Sequence, residues 1–394
     1  MRKRLMLLII VSCCIVLWIF QSDICTRLLP VKAGEISGLK EEEAIRLPRH
    51  LPRGVILMIG DGMGFEHIKA TRLSLKNAKL EMEKLPVSGS LTTYSYGGAV
   101  TDSAAAATAL ATGVKTSNGY LGMSPKGILL ENVSEVASRT GRRVGLVTTV
   151  TVTHATPAAF AVHVNARKDE ASIATAMILK RLDLIWGGGY GFFVPEYVSD
   201  SLRKDNTDVI KLAKNNGYKL LRKRSEMAQS DSLPSLGLFS RGALNGGKHE
   251  PDLAEMTVKA ADLLAKDKRG FFLMVEGGKI DWAAHVHDLP GVIREIASFD
   301  KAISEAVRFA EARGDVMVLV VADHETGGLD LLDKNGVISA DWTTFGHTDR
   351  DVPLYGYGPG AKMFAGKHDN TYIGRMLIQY FTTVEKYTKI LLSA

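Results

Sequence analysis

The chain has 394 residues, 46% hydrophobic and 23% charged, which supports one large core or two modest ones and excludes an intrinsically disordered chain. The net charge of +6 includes four basic residues near the N-terminus (Arg2, Lys3, Arg4 and Arg27). Elsewhere acids and bases are interspersed, whereas a nucleic-acid binder clusters its basic residues on one face, so no nucleic-acid partner is expected.

In chain order, basic Met1–Arg4 precedes an apolar run, Leu5–Phe20, interrupted only by Ser12, Cys13 and Cys14. This is the pattern of an export signal, and a periplasmic or extracellular location is expected. The run is long for a signal core and short for a full span. No clean small-x-small cleavage site follows it, so removal and retention as a membrane anchor through residues 5–20 both stay open. Residues 1–22 are read as signal or anchor, 23–50 as a linker carrying Pro30, Pro48 and Lys40–Glu43, and 51–394 as one domain. Cys13, Cys14 and Cys25 all precede that domain, so its fold cannot depend on an internal disulfide.

From Arg53 onward, short apolar runs end in polar residues. Val55–Ile59 leads to Asp61, Val144–Val150 to His154 and Thr156, Phe271–Val275 to Glu276, and Met317–Ala322 to Asp323 and His324. Each reads as a buried strand that delivers a polar side chain at its C-terminal end. Helices are expected at Ser103–Leu110, Asp169–Leu184, Pro251–Ala265 with Pro in the first turn, and Leu289–Ala312, whose apolar residues recur at helical spacing. Strands alternating with helices predict an α/β three-layer sandwich, a central mainly parallel sheet with helices on both faces. Such folds place ligands at strand C-termini. Residues 195–250, the most polar stretch of the body, are read as a candidate for a partly independent insertion.

Asp61, Thr156, Glu276, Asp281, His285, Asp323, His324 and His347 are the candidate metal ligands. Singly, each would be read as a cap or turn residue; together, carboxylates and imidazoles without thiolates suit zinc alongside a harder ion such as magnesium. Asp281 and His285, four apart, share one side of a helix. Ser103 opens an alanine-rich helix, where backbone N–H groups favour an anion, although Asp102 or Ser103 could simply cap it. No Gly-x-Ser-x-Gly elbow or Ser-His-Asp arrangement is evident, so activation of Ser103 by metal is the better account. Arg167 offers a guanidinium fork for two phosphate oxygens. His50, His67, His249, His287 and His368 belong to no motif, and His163, within the Thr156–Arg167 segment, is read as a core residue or one that supports the site from behind.

These residues resemble the alkaline phosphatase family from about Val55 to the C-terminus. The resemblance is carried by Gly60-Asp61-Gly62-Met63-Gly64, Thr101-Asp102-Ser103-Ala104, His154–Ala159, Val275–Asp281 with His285, Ala322-Asp323-His324 and Gly346-His347-Thr348. It implies two Zn2+ and one Mg2+ per chain. Asp281, His285 and His347 look like ligands of the first zinc, and Asp61, Asp323 and His324 like ligands of the second. Asp61 would also reach magnesium, completed by Thr156 and Glu276. Arg167 matches the phosphate clamp. His154 and Trp282 resemble the His/Trp subgroup, with His154 near the magnesium site or the phosphate and not a primary ligand.

The implied activity is hydrolysis of small phosphate monoesters through a phosphoserine at Ser103; a homodimer is a further expectation of the resemblance. A sulfatase is disfavoured because Ser103 is followed by four alanines instead of x-Pro-x-Arg. A phosphodiesterase and a non-catalytic metal- or phosphate-binding surface protein remain as rivals.

Overall fold

The computed structural model describes residues 52–76, 78–334 and 337–393. The export segment, the linker and the three cysteines lie outside the described residues. Among the described residues no helix is long and apolar enough to cross a membrane.

The chain enters the core at once. β1 (Gly54–Gly60) is buried along its whole length and turns into α1 (Phe65–Ser74). After β2 (Val87–Thr92) comes α2 (Ser103–Thr112), in which every residue is buried. Asp102 Oδ1 caps it by accepting from the Ala105 N–H at 2.9 Å. Next come α3 (Val133–Arg139), β3 (Arg143–Thr151), α4 (Ala155–Ala159), α5 (Glu170–Leu179) and β4 (Leu184–Gly188). The segment expected to be an insertion follows, with α6 (Val209–Asn215), β5 (Lys219–Leu221), α7 (Arg224–Gln229) and β6 (Ser235–Leu238). α8 (Leu253–Leu264), β7 (Phe271–Gly277), α9 (Lys279–His285), α10 (Leu289–Arg313) and β8 (Val316–Ala322) complete the central layer and one face. The chain closes with β9 (Glu325–Thr326), β10 (Leu329–Lys334), β11 (Val337–Trp342), β12 (His347–Thr348), β13 (Val352–Tyr357), β14 (Gly366–Asp369) and α11 (Thr371–Ser393).

Ten strands form the main sheet in the order β14-β2-β13-β8-β1-β7-β3-β4-β6-β5. From β8 to β5 every pairing is parallel, while β13 runs antiparallel to both neighbours. Parallel sheets need cover on both faces, and two sets of helices supply it. α1, α8, α9 and α10 pack together, and α2 packs with α3, α4 and α11. The three-layer sandwich expected from the alternation of elements is thus the observed architecture.

Three expectations differ in detail. α5 stops at Leu179, not Leu184; Arg181 takes a left-handed φ of 56°. The residues beyond it are claimed by β4, paired between β3 and β6, so sheet pairing overrides the helical pattern. Pro251 precedes the N-cap Asp252 instead of entering α8. Finally, β5 and β6 extend the edge of the main sheet, so the polar segment 195–250 is built into the fold.

A partly buried polar knot ties α3 to the loop after α4. Asn132 and Glu135 form a reciprocal capping box on α3. Glu135 Oε1 also lies 2.9 Å from His163 Nε2 and 2.6 Å from Lys180 Nζ. Burial alone would raise the Glu135 pKa, but these partners outweigh it and hold it at about 2 against an ordinary 4.5. A depressed carboxylate stabilises above its unfolded pKa, and that stability is lost as pH falls through the folded value. Glu135→Gln keeps the cap and removes the charge. It should cost about 2 kcal/mol at pH 7 in urea unfolding, and the gap from the parent should close between pH 4.5 and about 2.

Candidate active site

The sheet register creates the site. Gly60 of β1 pairs with Ala322 of β8, Ile59 pairs with Glu276 of β7, and Glu276 pairs with Thr148 of β3. β8, β1 and β7 therefore end at one level, with β3 alongside running on to Thr151. The residues that follow, Asp61, Asp323 and the start of α9, emerge side by side. Gly62 adopts a φ of 73° and donates its N–H to Asp323 Oδ1 at 3.1 Å. A Cβ there would lie 2.9 Å from the Asp281 backbone, so glycine lets three chain segments close together.

Seven of the eight predicted ligands come together in three groups, and Thr156 lies buried on α4 just after His154. Asp281 Oδ1 lies 3.3 Å from His285 Nε2 and 3.5 Å from His347 Nε2, and the two imidazole nitrogens are 3.1 Å apart. A second group has His324 Nε2 at 3.3 Å from Asp61 Oδ1 and 3.5 Å from Asp323 Oδ2. A third brings His154 Nδ1 to 4.0 Å from Asp61 Oδ2 and 3.9 Å from Glu276 Oε1, with Thr156 completely buried on α4. Asp61 thus faces two groups, one with each oxygen.

Tautomers are set by backbone carbonyls. His347 donates from Nδ1 to Thr101 O at 2.8 Å, and His285 from Nδ1 to Phe345 O at 2.5 Å. Each ring is left with Nε2 aimed into the site. Thr326 was not singled out in the sequence. Its hydroxyl donates to Asp281 Oδ1 at 2.6 Å and lies 3.2 Å from His324 Nδ1. Thr148 donates to Glu276 Oε2 at 2.5 Å. Neither threonine belongs to a recognisable motif, so only the fold could reveal them.

Ser103 Oγ is buried 3.2 Å from His324 Nε2. This serine–histidine contact has no local sequence signature, because the partner follows a strand more than 200 residues away. The same Nε2 faces two carboxylates and cannot serve Ser103 as an ordinary triad base while satisfying them. Beside it, Asp102 has two tasks. One carboxylate oxygen caps α2; the other accepts from Gly119 N–H at 3.0 Å and from Arg167 Nη1 at 3.1 Å. Arg167 Nη2 also donates toward His154 Nε2 at 3.4 Å, which leaves His154 Nδ1 directed at the third group. His154 therefore stands closer to that group than a role at the phosphate alone required. Of the remaining histidines, His163 braces the fold and His287 stacks beside the site; His50 lies outside the described residues.

Electrostatics point to cations. Burial pushes the Asp61 carboxyl well above the usual range, and the carboxylates of Asp323, Asp281 and Glu276 push it further. Asp323 is pushed up to about 7, chiefly by burial. Burial would raise Asp281 too, but hydrogen bonds from His285 and His347 outweigh it and hold this carboxyl well below its usual range. Burial holds the His324 imidazole well below its usual value. The hydrogen bond to Asp281 raises His285. Both oxygens of Asp61, Asp323 Oδ2, Glu276 Oε1, Thr156 Oγ1 and His154 Nδ1 are buried without a hydrogen-bond partner.

Orphaned carboxylate oxygens at this depth cost several kcal/mol each unless a cation meets them. Tetrahedral N and O ligands at ~2.0–2.2 Å from zinc sit about 3.3 Å from one another, which is the spacing seen in the first two groups. The third is wider and richer in oxygen, which suits a harder ion with water in its shell. The residues therefore fit divalent metal.

Comparison with known proteins points the same way. Residues 52–340 match the family described as alkaline phosphatase. Alkaline phosphatase 4 of Bacillus subtilis is 32% identical, over 88% of this chain and 95% of its own. The alkaline phosphatase of the Antarctic bacterium TAB5 is 31% identical with a TM-score of 0.78, covering 84% of this chain and 99% of that one. A histidine-to-aspartate mutant of the TAB5 enzyme, with Mg bound in its M3 site, has the same identity and coverage and a TM-score of 0.77.

The crowded carboxylates give opposite stability effects with and without metal. With chelator at pH 8, Asp61→Asn should be about 1–2 kcal/mol more stable than the parent, because a repelled buried charge is gone. With excess Zn2+ and Mg2+ it should be the less stable of the two, because a carboxylate facing two of the candidate metal groups is lost. Calorimetry under both conditions reads the sign; the same sign in both would contradict the assignment of Asp61.

Proposed function

The chain belongs to the alkaline phosphatase family and is an enzyme that hydrolyses phosphate monoesters with the aid of metal ions, and within it we propose Ser103 as the nucleophile. The observation that carries this is the Ser103 hydroxyl at the N-terminus of α2, 3.2 Å from His324 Nε2 in the second ligand group. The family reaction runs through a phosphoserine. We assign two Zn2+, one to Asp281, His285 and His347 and one to Asp61, Asp323 and His324, and one Mg2+ to Asp61, Thr156 and Glu276.

When bound, these cations lower the pKa of hydroxyl groups and offset charge on the attacking and departing oxygens. Ser103 Oγ forms a bond to phosphorus as the bond to the alcohol oxygen breaks on the opposite side. Arg167, oriented by Asp102, holds non-bridging oxygens together with the leading N–H groups of α2. Water then cleaves the phosphoserine, releasing inorganic phosphate and restoring the Ser103 hydroxyl.

His154 and Trp282 meet edge-on with ring centroids 6.2 Å apart, and we place the chain in the His/Trp subgroup on that pair. The TAB5 mutant, which carries aspartate in place of a histidine, holds Mg in a site called M3, and this supports a third metal site here. For the rest of the chain the proposal is export, with residues 1–22 as signal or anchor, 23–50 as linker and 51–394 as the catalytic domain. A homodimer follows from the resemblance alone.

Ser103→Ala should lose at least about a thousandfold in kcat/KM on p-nitrophenyl phosphate while keeping the parent's zinc and magnesium by elemental analysis. Turnover at the parent rate would remove Ser103 from the mechanism. The parent should lose activity with chelator and regain it on adding both metals.

A further inference from the structure

The site uses the backbone carbonyl of Phe345, but nothing so far uses its ring. That ring is 70% exposed, yet it is held flat. It stacks on His287 at 4.1 Å with an interplanar angle of 8°, and His287 stacks in turn on Trp342 at 4.9 Å and 7°. Trp342 is anchored against the hydrophobic core and lies so close to Gly327 that a Cβ there would come within 2.6 Å of its ring. His287 is fixed as well, by a left-handed φ of 55° and a 2.8 Å hydrogen bond from Nε2 to Thr344 O. Three planar rings therefore form a stack rooted in the core, its outermost face open to solvent.

The position of the stack gives it a partner. Phe345 O accepts the hydrogen bond that orients His285, so the residue that carries the ring adjoins the first ligand group. Ser103 lies at the second group. Displacement in line places the departing alcohol on the side of phosphorus opposite Ser103, over the group that contains His285. Given Ser103 as nucleophile, as read above, we propose that the Phe345 ring is the platform for the organic part of the substrate. The enzyme therefore favours monoesters whose alcohol carries a planar aromatic ring over small aliphatic ones. Offset stacking on a pre-organised ring is a favourable contact, and rigid backing by His287 and Trp342 removes the ordering cost that a free side chain would incur.

Substituting the ring leaves the carbonyl to His285 in place. The measurement is the ratio of kcat/KM for phenyl phosphate over glycerol phosphate, which cancels uniform damage to the site. Phe345→Ala should lower this ratio about 5- to 30-fold, Phe345→Leu should lower it less, and Phe345→Tyr should restore it. The inhibition constant of phenylphosphonate relative to methylphosphonate should move by the same factor, which tests binding without turnover. A ratio and inhibition constants within twofold of the parent in Phe345→Ala and Phe345→Leu would overturn the platform. So would a halved solution mass for Phe345→Ala, since the ring would then serve contact between copies. If the parent hydrolyses neither ester, the reading of Ser103 fails, and the phosphonates still decide the platform.

Discussion

The concentration of negative charge at the ends of β1, β7 and β8 is the constraint on which the structure turns. Asp61, Glu276 and Asp323 are fully buried, Asp281 nearly so, and several of their oxygens have no protein partner. Their side chains are shielded from bulk solvent, and the surrounding strands are apolar. Cations in the midst of this charge relieve its repulsion most fully. Fold and chemistry are therefore coupled: the parallel sheet brings the carboxylates together, and the metals they demand are what the phosphoryl transfer uses.

Around that charge, the protein spends backbone groups on orientation. Thr101 O and Phe345 O fix the two exposed-side imidazoles, and both carbonyls belong to segments adjoining the site, not to the sheet. Asp102 joins local structure to function, since capping α2 and clamping Arg167 are done by the two oxygens of one carboxylate. A capped helix and a placed arginine cannot be separated here: loss of one geometry disturbs the other.

Much of this was legible in the sequence. The apolar runs at Val55, Val144, Phe271 and Met317 are buried parallel strands because both faces of the sheet are covered, and each delivers the polar residue that ends its run. The Asp281–His285 spacing placed both side chains on one face of α9. What could not be read were contacts made by residues without motif or periodicity. Thr326 and Thr148 look like ordinary strand threonines until the register sets Thr148 against Glu276 and the fold brings the Thr326 hydroxyl to Asp281. His287 looked incidental because its role depends on two rings more than 50 positions further along. The misjudged end of α5 has the opposite cause: local apolar spacing cannot show that Leu184–Trp186 has two strand partners waiting.

The composition of α2 follows from the same demand for fixed geometry. Nucleophilic attack tolerates little error in position, so the helix that begins at Ser103 must not shift. Alanine side chains allow neighbours to approach its backbone closely, and the junction with α11 shows how far this goes. A Cβ on Gly374 would lie 2.4 Å from Gly113 N and 2.8 Å from Leu110 O. Gly113 itself ends α2 with a left-handed φ of 73°, a conformation glycine adopts without strain. The far end of the helix is thus wedged against α11 while the near end is capped by Asp102. With both ends held and every residue buried, the hydroxyl at its start has almost no freedom of its own, and its alignment with the ligand groups is inherited from packing instead of being established when substrate arrives.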